Sequence, residues 1–84
     1  MERKDIQEKI FEIVTKCISA EDEEICFDDD LREHGMDSIN CIMIIVEIED
    51  LYQFEFADED LILENFRTIN KLVDYVIGKI SILL

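Results

Sequence analysis

Residues 34–40 read HGMDSIN, and they hold the residue types in this chain best suited to chemistry. Ser38 offers a hydroxyl, Asp37 an acid beside it, and His34, the only histidine, a possible base. A serine nucleophile needs that base and an oxyanion hole. The segment lacks the GxSxG turn that exposes such a serine, so a hydrolase is a poor reading and His34 reads as a loop residue. Metal chemistry fares no better. Counting a calcium loop from Asp30 puts Gly35 correctly at position six, but Arg32 at three and Cys41 at twelve, where carboxylates belong. Cys17, Cys26 and Cys41 form no CxxC pair for zinc, and their odd number argues against a disulfide framework. Cys17 and Cys41 lie in apolar runs and read as core residues in a reducing compartment.

Covalent modification of Ser38 remains. A serine in the first turn of a helix is exposed, and the N–H groups around it lack intrahelical acceptors. A phosphodiester there meets those donors and the positive end of the helix dipole. On the residues alone, however, Ser38 reads first as a helix cap, since Asp37 and Ser38 are both good N-caps.

The helix in question runs from Asp37 or Ser38 to about Gln53. Ile44, Ile45, Ile48, Leu51 and Tyr52 supply a core-facing stripe, and Ile39, Ile42, Met43 and Val46 a second stripe on another side. A helix apolar on more than one face is either deeply buried or presents a docking surface. An 84-residue chain buries only about 60–65% of its unfolded surface, which favours docking. Before it, Ile6, Ile10, Ile13, Val14 and Cys17 mark an amphipathic helix from about 3 to 18. Residues 19–36 show no such period and form a long acidic loop, anchored by Ile25, Phe27 and Leu31. After it, Phe54-Glu55-Phe56 alternates but is too short for a sheet. Asp58 opens a short helix to about Asn65. Thr68 caps a last one, with Ile69, Leu72, Val73, Val76 and Ile77 inward and Gly78 as its stop. The expected fold is an all-α bundle of three longer helices and one short one. It forms a single domain over residues 1–84, with its core at about 4–78 and a short apolar tail at 79–84.

Charge limits the partners. Twenty-two acids against eight bases give a net charge of −14, and residues 21–64 hold 17 acids and one base, Arg32. Such a surface repels nucleic acid and anionic lipid, and steers proteins with basic patches toward it. The N-terminus is too charged for a signal peptide, and no apolar run reaches the ~18 residues of a membrane span. The expectation is a cytoplasmic monomer with no nucleic-acid or membrane partner.

Gly35-Met36-Asp37-Ser38-Ile39 resembles the G-x-D-S-L/I attachment motif of acyl and peptidyl carrier proteins. The likeness spans roughly residues 4 to 78. The first helix, acidic loop, apolar second helix, Phe56-Ala57-Asp58-Glu59 and Phe66-Arg67-Thr68-Ile69 follow in the family's order. The resemblance implies an acyl-carrier-like four-helix bundle that catalyses nothing itself. It implies that a phosphopantetheinyl transferase attaches 4′-phosphopantetheine from coenzyme A to Ser38, with Gly35 and Asp37 as motif context. The arm would carry acyl or aminoacyl groups as thioesters, loaded by a ligase or adenylation domain and passed to synthases or transferases. Carried over position by position, Ile39, Ile42, Met43, Val46, Glu47, Glu49 and Asp50 are the docking residues. Ile44, Ile45 and Ile48 would border any cavity for an attached chain.

Some positions depart from the family. His34 stands where leucine is usual, Asn40 and Met43 where fatty-acid carriers often have acids, and Ala57 where proline is common. FEFADEDLILENFRTI is more similar to free-standing carriers of nonribosomal-peptide or polyketide pathways. A housekeeping fatty-acid carrier, a D-alanyl carrier and, from another class, an unmodified acidic interaction module are the alternatives.

Overall fold

The computed structural model describes residues 2–19, 24–61 and 63–83, and of these the side chains of 58, 63, 64 and 81–83 are not described. Three α-helices carry the fold: α1 (Arg3–Cys17), α2 (Ser38–Tyr52) and α3 (Ile69–Leu83). Among the described residues there is no strand. The family-style bundle expected from the sequence is present, and α1 packs against both α2 and α3.

The apolar spacing explains the packing. On α1, Ile6, Ile10, Val14 and Cys17 fall on one face and are buried. Thr15 is buried with them, because its hydroxyl donates back to the Phe11 carbonyl at 2.9 Å. On α3, Ile69, Leu72, Val73 and Val76 are fully enclosed. Thr68 caps that helix as expected, its Oγ1 accepting from the Lys71 N–H at 3.0 Å. On α2, Ile44 and Ile48 are the core contribution. With about 25 cal/mol per Å² of apolar surface removed from water, this shared interior is the main stabilising term.

Two expectations fail within the helices. Gly78 does not end α3, which continues to Leu83. A glycine ends a helix readily when it turns left-handed; Gly78 stays helical, costing about 1 kcal/mol relative to alanine. Ile77 and Ile80 on either side pack against the core, so the stripe continues past it. The expected tail therefore begins as helix; Leu84 lies outside the described residues. Leu51 is not a core residue either, being about half exposed. Around the helix, Tyr52 is displaced about 40° from Ile48 and Leu51 about 60° the other way. The aromatic ring takes the inner position.

The connections hold more order than the sequence suggests. In the long loop, Ile25, Leu31 and Met36 are buried, and Phe27 meets Phe11 edge-on with ring centres 6.0 Å apart. The Leu31 N–H donates to the Arg67 carbonyl at 2.8 Å, and the Asn70 N–H to the Phe27 carbonyl at 3.0 Å. These bonds pin the loop to the start of α3. Part of the acidic run expected there, residues 20–23, lies outside the described residues. The predicted short helix at 58–65 is realised as two 3₁₀ turns, Asp58–Asp60 and Leu63–Phe66. A further 3₁₀ turn, Leu31–His34, immediately precedes the HGMDSIN motif.

Candidate functional site

That 3₁₀ turn aims the chain at the site. Asp30 caps it, its carboxylate accepting from the Arg32 N–H at 3.0 Å. Gly35 ends it at φ +96°, a backbone conformation that glycine adopts without the steric cost of a Cβ. The N–H of Gly35 donates to the Arg32 carbonyl and that of Met36 to the Leu31 carbonyl. Leu31 and Met36 then bury their side chains on either side of the turn. The reversal between them needs a left-handed residue, and Gly35 supplies it.

Asp37 follows in an extended conformation and is the N-cap of α2. Its Oδ1 accepts from the Asn40 N–H at 2.9 Å, and Asn40 Oδ1 accepts the Asp37 N–H at 3.3 Å. This reciprocal pair is a capping box. Of the two candidate caps, the structure selects Asp37. Ser38 is therefore the first residue inside the helix, exposed, and among the described residues its hydroxyl has no hydrogen-bond partner. The Asn40 N–H is taken and the Cys41 N–H donates to the Asp37 carbonyl, so the N–H groups of Ser38 and Ile39 are left without intrahelical acceptors. An anion bound to Ser38 would meet two donors and the positive end of a four-turn helix. These residues fit a phosphodiester.

Asn40 does a second job that sequence reading missed. Its Nδ2 donates to the Cys17 carbonyl at 2.9 Å, tying the start of α2 to the end of α1. The spacing Asp37-x-x-Asn40 was a signal for the capping box alone, since a polar residue three positions after an N-cap completes such a box; the tie to Cys17 had no local signal.

Among the described residues, the side chains around Ser38 are held in structural contacts. His34 Nε2 lies 3.2 Å from Asp29 Oδ2, an oxygen that also accepts from the Cys26 N–H. Those two contacts, the backbone one first, hold the Asp29 carboxyl below its usual range. Asp30 is held at about 2, chiefly by the Arg32 guanidinium bonded to it, with Arg67 also within 3.5 Å. Both contacts brace the loop. Cys41, one turn beyond Ser38, is half-buried, and desolvation raises its thiol above the ordinary value. A thiol so raised is a poor nucleophile at neutral pH. Among the described residues, no group of three or more His, Cys, Asp or Glu side chains could hold a metal ion.

The outer face of α2 carries an exposed apolar stripe. Ile39, Ile42, Met43 and Val46 are 69, 61, 47 and 56% exposed, in one stripe running away from Ser38. Glu47 and Asp50 are exposed beside them. Glu49 differs, because it is partly buried and its Oε2 accepts from the Phe56 N–H at 2.9 Å. Next to Ser38 a cleft of about 260 Å³ opens between α2 and the 3₁₀ segment, lined by Cys41, Ile42, Ile45, Leu61 and Phe66. A larger cleft of about 450 Å³, at the other end of α2, is walled by Glu49, Asp50 and Glu55 and is remote from Ser38 in sequence and along the helix.

The pattern defining the phosphopantetheine attachment site family matches residues 8–76, most of the chain. The chain belongs to that family. It is similar to the acyl carrier protein of Coprothermobacter proteolyticus, 30% identical over 77 residues that cover 90% of this chain and 92% of that one. It is also similar to the acyl carrier proteins of Rubrobacter xylanophilus (31% over 78 residues, 92 and 94%) and Phytoplasma mali (31% over 72 residues, 84 and 83%). This carrier is thus a non-catalytic protein whose cofactor is phosphopantetheine and whose role is to interact with partner enzymes. No helix among the described residues is long and apolar enough to cross a membrane.

Proposed function

We propose that Ser38 is the attachment residue, and that the chain carries acyl or aminoacyl groups on a 4′-phosphopantetheine arm bound there. One observation carries this reading: Asp37 does the capping, so the Ser38 hydroxyl stands exposed and without a structural task beside two donor N–H groups. When bound, the arm supplies a thiol for thioester formation. The chain's own residues hold the attachment point. Gly35 turns the backbone toward it, Asp37 and Asn40 fix the helix start, and Ser38 presents its oxygen.

The partners we infer are a phosphopantetheinyl transferase, a ligase or adenylation domain that loads the arm, and synthases or transferases that receive the cargo. They dock on Ile39, Ile42, Met43 and Val46 with basic groups facing Glu47, Asp50 and the exposed part of Glu49. The excess of acids over residues 21–64 supports that choice by steering basic surfaces. The pathway we favour is nonribosomal-peptide or polyketide synthesis. Asn40 supports it, because here an amide bonded to the Cys17 carbonyl replaces an acid often used in fatty-acid carriers. A housekeeping fatty-acid or D-alanyl role is the alternative. Three free cysteines support a reducing, cytoplasmic setting.

The test is mass spectrometry after incubation with coenzyme A and a promiscuous transferase. One phosphopantetheine should be added to the wild type and none to Ser38→Ala. A gain that persists in Ser38→Ala, or no gain in either, ends this reading. An unmodified interaction module would instead keep all function in Ser38→Ala and lose it in Met43→Glu and Val46→Glu.

A further inference from the structure

α1 and α2 meet along an open groove that the attachment motif does not use. The Asn40 bond to the Cys17 carbonyl ties the two helices together at one end. Beyond that tie the groove has about 270 Å³ and is lined by Glu12, Ile13, Lys16 and Cys17 of α1 and by Met43 and Glu47 of α2. Its floor is apolar. Cys17 is buried, Met43 is about half exposed, and Ile13 is only partly buried although its spacing put it on the core face. Its rim is charged. Glu12, Lys16 and Glu47 are exposed, and none of them makes an ion pair among the described residues. Burial, then the Glu47 charge, raises the Cys17 thiol above its ordinary value, and Lys16 opposes them, so both charges bear on the floor. The groove lies on the flank of α1 away from the long loop. Phe27 of that loop packs on Phe11, and Phe11 is about 160° around the helix from Ile13.

We infer that this groove carries the partner surface onto α1, receiving one apolar side chain of a partner enzyme with bases set against Glu12 and Glu47 and an acid set against Lys16. The inference rests on the reading that partners dock on α2, and it does not need the arm. Met43 belongs to both the exposed stripe and the groove floor, so a partner element lying on the stripe runs on into the groove. Charge decides between occupants. A second copy would bring a charge of −14 against −14 and is repelled, whereas a basic partner is attracted. Covering the apolar floor supplies the affinity, and the three rim charges supply the register. Glu12 and Lys16 are four residues apart and share one face of α1. The order of their signs is therefore what a partner reads, because a partner with the reversed order meets like charges at both places.

The probe is a synthetic amphipathic helical peptide with a leucine ridge, lysines set against Glu12 and Glu47, and a glutamate one turn along set against Lys16. A control peptide of the same composition has the glutamate and the neighbouring lysine exchanged. Both are titrated into the isotope-labelled full-length chain. In the wild type, amide shifts should centre on residues 12–17 and 43–47, and the first peptide should bind about fivefold more tightly than the control. The double variant Glu12→Lys with Lys16→Glu keeps the net charge. It should bind the first peptide about tenfold more weakly, as two exposed ion pairs become two repulsions, and should prefer the control peptide. If its melting curve shows it unfolded, Glu12→Gln and Lys16→Gln take its place, each expected to weaken the first peptide about twofold. Equal binding of the first peptide to the wild type and the variants overturns the inference, since net charge alone would then explain it. Shifts on the outer stripe of α2 with none on α1 overturn it too. So do shifts at 12–17 that follow the chain's own concentration without peptide, which mark a second copy as the occupant. The Ser38→Ala chain should bind the peptide as the wild type does. Failure of attachment at Ser38 therefore leaves the groove standing, and failure of peptide binding in a chain that still accepts the arm refutes the groove alone.

Discussion

α2 and α3 are both 15-residue, strongly apolar helices, yet they use their side chains in opposite ways. In α3 the isoleucine, leucine and valines at 69, 72, 73 and 76 are all fully enclosed. In α2 only Ile44 and Ile48 are, while Ile39, Ile42, Met43 and Val46 face water. The apolar positions of α3 at 69, 72, 73, 76, 77 and 80 keep to one stripe, so one contact surface covers them. Those of α2 spread around the helix, and α1 covers a single side. The contrast teaches that apolar content alone says little about stability. The same residue type is structural on one face and available to a partner on another.

Truncation should break that symmetry most sharply. Ile48→Ala or Leu72→Ala should destabilise by about 2–5 kcal/mol in urea unfolding, because each leaves a cavity. Ile42→Ala and Val46→Ala should stay within about 0.5 kcal/mol, yet slow loading by a partner enzyme. Equal losses on both faces would mean the outer stripe is part of the core. Next in size is the start of α2. Asp37→Ala should cost about 1 kcal/mol, within the usual range for a lost N-cap. Asn40→Ala should cost a similar amount, losing the capping box and the tie to Cys17. Ser38→Ala should cost less than about 0.5 kcal/mol. A large loss there would show that the hydroxyl has a structural task after all.

A smaller effect comes from the loop in front of the site. The Asp30 carboxyl is depressed in the folded protein to about 2, from an ordinary 3.8. Its contribution is therefore fully present above the ordinary value and is lost as pH falls toward about 2. Asp30→Asn should flatten that part of the urea midpoint against pH and leave the neutral-pH slope unchanged. The smallest effect is global. With a net charge of −14, added salt should raise the melting temperature by a few degrees as repulsion is screened. A salt-insensitive melt would mean the acids are already balanced.

The sequence made most of this legible where period and chemistry agreed. Ile6, Ile10 and Val14 fixed the inner face of α1, and Thr68 marked the start of α3, because spacing and capping are local rules. The exposed stripe of α2 could be read from its excess over what a small core absorbs. What escaped depended on neighbours distant in sequence. Leu51 and Tyr52 satisfy the same period, and only the packing around Ile48 decides between them. Gly78 is a plausible stop until Ile80 is seen to keep contact beyond it. The bonds from Asn40 to Cys17 and from Tyr75 to Asp60 join positions 23 and 15 residues apart, and no local pattern announces them. At the site, the motif pointed to Ser38, but the division between a capping Asp37 and an exposed Ser38 needed coordinates.

That division has a consequence for anyone seeking to block the pathway. Asp37 secures the helix whether or not Ser38 has a hydroxyl, so the Ser38→Ala chain keeps its shape and its outer stripe. On the proposed reading, with the arm on Ser38 and the stripe as the dock, it would occupy partner enzymes without accepting an arm or cargo. The alanine variant is thus a ready-made decoy, whose potency reports how much of partner recognition lies in the helix face and how much in the arm.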